Sequence, residues 1–188
     1  MAELVKILGI AGSLRKGSYN RSALRVAVKL APPDSTLEIA DLDGIPPFNE
    51  DQETEFPPHA REFKAKVSAA DAIVIVTPEY NYSVPGVLKN AIDWASRPYG
   101  DSAWNAKPVG IMGASVGMLG TARAQYHLRQ MFVFLNMFPL NQPEVMIANA
   151  ADKFDEQGNL KDSKTSEKVK DLLEALVDWT RRLKNTRA

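Results

Sequence analysis

Three short segments carry the residues able to do chemistry. The first, Gly12-Ser13-Leu14-Arg15-Lys16-Gly17-Ser18-Tyr19-Asn20, combines small residues, short polar side chains and two cations. Set between a strand and a helix, it offers unpaired amides at the helix start, whose partial positive charge suits a phosphate. Arg15 can grip phosphate oxygens in pairs, a charged hydrogen bond contributing about 1.5–3 kcal/mol. Near misses narrow the ligand. Gly12 to Gly17 has the spacing of a triphosphate loop, but Ser18-Tyr19 stands where Lys-Ser or Lys-Thr is required. The dinucleotide pattern G-x-G-x-x-G is absent from the whole chain. A terminal monophosphate of the kind carried by FMN remains; the alternative is a solvated loop capped by Ser18 or Asn20.

The second segment is Thr77-Pro78-Glu79-Tyr80-Asn81-Tyr82-Ser83-Val84-Pro85-Gly86. Pro78 has no N–H, and the amides of Glu79, Tyr80 and Asn81 are expected to lie free where they can face the edge of a flat ring. Tyr80 and Tyr82 can wall off such a ring, and Ser83 is expected to cap the next helix, with Pro85 in its first turn. An ordinary proline-rich turn with two surface tyrosines is the competing reading. The third segment, Gly113-Ala114-Ser115-Val116-Gly117, has the form G-x-S-x-G of a hydrolase nucleophile elbow. That reading fails on order: an acid and then a histidine must follow the serine, and between Ser115 and His127 there is neither Asp nor Glu.

Positioning these segments requires strands and helices in alternation. Apolar, β-branched runs fall at 4–10, 36–40, 71–77, 108–112 and 144–147. The run at 71–77 is nearly continuous, as for a strand buried on both faces. Helical spacing of apolar residues covers 20–31, 56–69, 84–95, 120–136 and 164–184. Alternation of this kind predicts an α/β three-layer sandwich: a five-stranded parallel sheet in the flavodoxin-like order 2-1-3-4-5, with helices on both faces. No repeat or linker divides the chain, so residues 1–188 are expected to form one domain. Ligands in such a fold sit beyond the carboxyl ends of the strands, where the three segments fall.

The motifs Ser13-Leu14-Arg15-Lys16-Gly17-Ser18-Tyr19-Asn20, Pro78-Glu79-Tyr80-Asn81-Tyr82-Ser83 and Leu88-Lys89-Asn90-Ala91-Ile92-Asp93-Trp94 together resemble the NAD(P)H-dependent FMN reductase family. The bacterial quinone and chromate reductases are the nearest subgroup, and the likeness spans roughly residues 4 to 180. It implies a flavodoxin-like fold and non-covalent FMN, with NAD(P)H as electron donor. Ser13, Arg15, Ser18 and Asn20 match the phosphate-binding positions, with Tyr19 beside them. Pro78, Glu79, Tyr80 and Asn81 match the segment along the isoalloxazine. Ser115 and Gly117 belong to a third flavin-facing loop. No side-chain catalyst is expected, because a flavin itself supplies the redox chemistry. The implied acceptors are quinones, with chromate or other metal oxyanions, azo and nitro compounds also conceivable, by a ping-pong mechanism. A flavodoxin-type electron-transfer module is the alternative. The family also implies a homodimer or homotetramer, with Arg97 or Asp101 as candidates to reach a neighbour's site.

Composition excludes much else. The 188 residues carry 23 basic and 23 acidic side chains and no cysteine. Balanced charge gives no drive toward nucleic acid or an anionic membrane. Thiolate catalysis, disulfides and zinc–thiolate sites are ruled out. Two histidines, His59 and His127, are too few for a histidine-rich metal centre, so no metal is expected. No run approaches the ~20 apolar residues of a membrane span. A cytoplasmic location is the resulting expectation.

Overall fold

The computed structural model describes residues 3–186. Strands β1 (Val5–Ala11), β2 (Ser35–Ala40), β3 (Ala72–Val76) and β4 (Pro108–Ala114) alternate with helices α1 (Tyr19–Leu30), α2 (Pro58–Ala69), α3 (Gly86–Ala95) and α4 (Ala122–Phe134). Two short strands, β5 (Phe138–Pro139) and β6 (Val145–Ile147), a one-turn helix α5 (Ala150–Lys153) and the long helix α6 (Ser163–Asn185) complete the chain. All pairings are parallel, in the order β2-β1-β3-β4-β5. The expected fifth strand at 144–147 is β6, and it does pair with β4, through Met112–Val145 to Ala114–Ile147. The sheet nonetheless has six strands, not five. The segment 140–144, with Pro143 unable to donate a ladder bond, interrupts the last lane. Phe138–Pro139 therefore pairs with the start of β4 and Val145–Ile147 with its end.

Period-two alternation sorts the side chains of β3 between two cores. Ile73 and Ile75 join Leu8, Ile10, Phe63, Leu88, Ile92, Trp104, Leu128 and Phe132 on the face covered by α2, α3 and α4. Ala72, Val74 and Val76 join Val5, Ile7, Leu24, Leu172, Leu173 and Leu176 on the face covered by α1 and α6. Every β3 side chain is fully buried, which explains the unbroken apolar run. Each such Val or Ile contributes about 1.5–3 kcal/mol by leaving water. β2, at the sheet edge, alternates only over Ser35–Glu38; Ile39 is exposed and Ala40 buried, against the alternation its sequence suggests, because an edge strand has no neighbour beyond it. Pro58 opens α2 at its first position, where a missing N–H costs nothing.

The aromatic residues between 94 and 104 divide. Trp94 and Trp104 are buried, their indole N–H groups donating to Pro46 O (2.8 Å) and Ile92 O (2.9 Å), whereas Tyr99 is exposed. Asn90, one turn before Trp94, donates to Pro46 O and accepts from Phe48 N. The Leu88–Trp94 motif thus anchors the long connection that follows β2.

At the carboxyl end of the sheet the backbone is crowded. A Cβ on Gly113 would stand 1.9 Å from Thr121 Oγ1 and 2.3 Å from Thr77 O. Gly113 is therefore what lets the ends of β3 and β4 close on the start of α4. Gly113→Ala is expected to destabilise the protein by about 1–3 kcal/mol through overpacking, read as a lower midpoint in urea denaturation; an unchanged midpoint would refute the crowding.

Candidate functional site

Ser18 ends the first loop in an extended conformation and caps α1, its Oγ accepting from Asn20 N (3.2 Å) and Arg21 N (3.4 Å). The cap fixes where the helix begins, and so which amides are left over. Among the described residues, the N–H groups of Lys16, Gly17 and Tyr19 have no partner. Arg15 is exposed, forms no ion pair among the described residues and lies with its guanidinium 5.9 Å from the Tyr19 ring centre. Asn20 is buried and turned inward. Its Nδ2 donates to Ala114 O (2.9 Å) and its Oδ1 accepts from Ala114 N (2.8 Å), tying the first loop to the end of β4.

The second loop departs from its sequence reading in two ways. Tyr80 and Ser83 exchange both backbone hydrogen bonds, Tyr80 N to Ser83 O at 3.1 Å and Ser83 N to Tyr80 O at 2.9 Å. The Tyr80 amide is thus not free, although those of Glu79 and Asn81 have no partner among the described residues. Asn81 and Tyr82, at φ 49° and 66°, carry the reversal in left-handed conformations, unusual for a tyrosine. Ser83 does not cap α3 either. The extended Pro85 precedes Gly86 there, and Ser83 Oγ instead sits 2.9 Å from His127 Nδ1.

Glu79 supplies a tie that its sequence position does not reveal. Its carboxylate accepts from Arg123 N (3.0 Å) and Ala124 N (3.2 Å), so it caps α4 from a loop 44 residues earlier. It also pairs with the Arg123 guanidinium, which lies 3.5 Å from the centre of the Tyr82 ring. The hydrogen bond to Glu79 holds the Arg123 pKa above its ordinary value. Arg123 was not among the residues singled out from sequence; its signal was a cation in the first turn of a helix, where the dipole disfavours one.

In the third loop Ser115 N donates to Ile147 O (3.0 Å), and Ser115 Oγ accepts from Gly117 N (3.1 Å). His127, the first histidine after Ser115 in the chain, is engaged by Ser83 and makes no hydrogen bond to Ser115. Val116, Met118 and Leu119 are exposed along this loop.

The loops converge. Arg15, Ser18, Tyr19, Asn20, Pro78, Glu79, Tyr80, Ala114, Ser115 and Val116 line one open cleft of about 220 Å³ beyond the strand ends. Ser13, Asn81 and Gly117 stand outside that lining. Ser13 is buried, its Oγ accepting from Arg15 N (3.3 Å), and it borders a neighbouring cavity. Arg97 and Asp101 are engaged within the chain. Arg97 lies 3.0 Å from Glu53 and 4.0 Å from the Tyr99 ring centre, and Asp101 accepts from Lys64 Nζ at 2.6 Å.

A parallel α/β sheet of this order, with a phosphate-type loop after β1 and two further loops closing on it, defines a flavodoxin-like mononucleotide-binding protein. Comparison with known proteins sharpens this. The family model of the NADPH-dependent FMN reductases matches residues 5–152. An NAD(P)H-dependent FMN reductase of Pseudomonas aeruginosa is 55% identical over 98% of this chain and 100% of its own. A 2-hydroxy-1,4-benzoquinone reductase of a Burkholderia species is 42% identical over 94% of this chain and 97% of its own. The solved structure of FerB, a flavoenzyme NAD(P)H:(acceptor) oxidoreductase from Paracoccus denitrificans, superimposes with a TM-score of 0.88 at 34% identity, covering 95% of this chain and 98% of that one. The chain belongs to the NADPH-dependent FMN reductase family: it is an oxidoreductase that uses FMN and takes electrons from NAD(P)H.

The residues present suit that cofactor. An exposed guanidinium without a carboxylate partner, unpaired amides at a helix start and a capping hydroxyl meet at one end of the cleft, as a phosphate dianion requires. The amides of Glu79 and Val116, without partners among the described residues, belong to the second and third loops of the lining and can donate to ring oxygens and nitrogens. Asn20→Ala is expected to lower stability by about 1–3 kcal/mol, since it leaves both buried backbone groups of Ala114 unpaired. Thermal unfolding without flavin checks this, and an unaltered melting temperature would count against the tie.

Proposed function

We propose that this protein is a cytoplasmic, single-domain reductase of quinones, working with FMN held between its three strand-end loops. The observation that carries the reading is the cleft itself: loops far apart in sequence place a free guanidinium, unpaired amides and flat aromatic walls around one opening. Arg15, Ser18 and Tyr19 hold the phosphate end, and Ser13 and Asn20 act by fixing the loop that presents them. Pro78, Glu79, Tyr80 and Ser115, which line the cleft, would border the ring, with Asn81 and Gly117 acting from just outside the lining by shaping the second and third loops. FMN held there would supply the redox chemistry, a flat ring able to take two electrons from a nicotinamide and pass them to an acceptor.

The protein's own part is to orient, enclose and tune. The amides of Glu79 and Val116, fixed by the strand ends, would stabilise negative charge developing on a bound ring without reorganisation. The Glu79 carboxylate is taken up by the α4 amides and Arg123, so its part is to hold the second loop against the start of α4. The cleft is open to solvent, with the exposed side chains of Tyr80 and Val116 in its lining. On this reading donor and acceptor use the same opening in turn, giving ping-pong kinetics. Quinones, flat and largely apolar, suit such a mouth best, and the Burkholderia and plant relatives carry quinone reductase names. Chromate and azo compounds are secondary acceptors on this reading.

Self-association into a homodimer or homotetramer completes the proposal. Val133 and Phe134 at the end of α4 are 82% and 77% exposed, and Met118 beside the cleft is 85% exposed. Apolar side chains so fully in water mark a surface that a second copy would cover. Light scattering giving a monomer at full activity would remove this part.

Purified protein is expected to be yellow, to bleach when NADPH is added without oxygen, and to regain colour on addition of benzoquinone. Initial rates at varied NADPH and quinone should give parallel double-reciprocal lines; intersecting lines would refute alternate use of one mouth. Arg15→Ala is expected to weaken FMN binding by about 10- to 100-fold, matching the worth of a charged hydrogen bond. Fluorescence titration of the apoprotein checks this, and unchanged affinity would take Arg15 out of the phosphate site.

A further inference from the structure

Between β6 and α6 the chain makes a short excursion whose side chains do not line the cleft. Helix α5 leads into a tight hairpin. Phe154 bridges Leu160, Lys161 N donates to Lys153 O (2.8 Å), and the Asp155 carboxylate accepts from Asn159 N (2.7 Å) and Nδ2 (3.0 Å). The excursion is fastened at three places. Ala150 N donates to Ser115 O (3.0 Å) and Asn149 N to Gly117 O (3.3 Å), both in the third loop. Gly158, at φ 78°, lies so close to α1 that a Cβ there would stand 2.5 Å from Ser22 Oγ and 2.9 Å from the Arg25 guanidinium. Phe154, only 3% exposed, packs its ring against that of Tyr19, with centres 5.6 Å apart and planes tilted by 37°.

Through Tyr19 this packing reaches the cleft. The tyrosine is half-buried, lines the opening and has the Arg15 guanidinium 5.9 Å from its ring centre. Arg15 is exposed, and a long side chain in water loses rotamer freedom when it closes on an anion. Whatever restrains it beforehand strengthens binding. The face of an aromatic ring is such a restraint for a guanidinium, provided that the ring itself stays put. Packed on Phe154, Tyr19 cannot swing away without leaving a void in a close-packed cluster. We infer that Phe154 is a positioning residue for the phosphate end of the cleft. It holds Tyr19, Tyr19 holds Arg15, and the hairpin thereby sets the preference for a phosphorylated flavin over the same flavin without phosphate. The inference rests on the placing of FMN proposed above. The bonds from Asn149 and Ala150 to the third loop are made by backbone, so a change of side chain at Phe154 leaves them in place and the ring end of the cleft undisturbed.

Titration of the full-length apoprotein with FMN and with riboflavin, which has the same ring and no phosphate, tests this. Phe154→Leu keeps apolar bulk and removes the flat ring. It is expected to weaken FMN binding about three- to tenfold, the worth of one aromatic contact, and to leave riboflavin affinity unchanged. In an Arg15→Ala background the same substitution should cost no further FMN affinity, because the three side chains act in series. Equal weakening of both flavins, an unchanged FMN affinity, or additive losses in the double variant overturns the proposal. If Phe154→Leu does not fold, Gly158→Ala decides by the same ratio, since its Cβ presses the hairpin away from α1. A fall in the preference for FMN then supports the proposal, and an undiminished preference overturns it. The two readings fail separately. Wild-type FMN affinity in Arg15→Ala defeats the phosphate assignment itself, whereas a loss there with none in Phe154→Leu defeats only the part given to the hairpin.

Discussion

Asn20 and Ala114 are 94 residues apart, yet the side-chain amide of one satisfies both backbone groups of the other. The cleft depends on this exchange. Parallel strands end with free N–H and C=O groups, and burying them without partners costs about 1–3 kcal/mol each. A side chain that meets both needs at once draws the first and third loops together and sets their spacing. It also explains why Asn20 faces inward while Arg15, five residues earlier, faces out. One residue closes the backbone so that the other can stay free for an anion.

The second loop is held to the same frame by a different device. Glu79 lies in a turn whose backbone doubles back between Tyr80 and Ser83, and its carboxylate reaches the first amides of α4. An acid at a helix N-terminus is stabilising, whereas Arg123 in that first turn would alone be unfavourable. The pairing resolves both. It also fixes Tyr82 beneath the guanidinium, shaping the mouth of the cleft. Close approach at Gly113 then lets Thr121 begin α4 against the ends of β3 and β4. The site is rigid where it touches backbone and open where it meets solvent. A reductase needs that arrangement if the ring is to stay put while small partners come and go.

Electron transfer through a flavin needs positioned donors and a controlled field more than proton-transfer groups. Of the titratable side chains near the cleft, Glu79 is saturated by hydrogen bonds and His127 is engaged by Ser83. The exposed apolar residues around the mouth and along α4 are the part of the surface that isolated folding leaves unexplained.

Local pattern was enough for most of the architecture. The continuous apolar run at 71–77 and the helical stripes at 84–95 and 164–184 report burial directly, because periodicity is imposed by the backbone of each element, whereas the alternation at 36–40 fails at the exposed Ile39 of the edge strand. The phosphate-type loop was legible too: Gly, Ser and Arg at those spacings are demanded by chemistry that acts within nine residues. What sequence could not give was anything decided across the fold. The last lane of the sheet splits because of how 140–144 leaves β4, and Ser83 goes to His127 because the turn at 80–83 points it there. Asn20 meets Ala114, and Glu79 meets Arg123, only once the strand ends are side by side. Sequence determines which groups each loop can offer. Tertiary structure alone decides which are consumed in holding the loops together and which remain for a ligand, since a hydrogen bond between distant residues leaves no trace in local spacing.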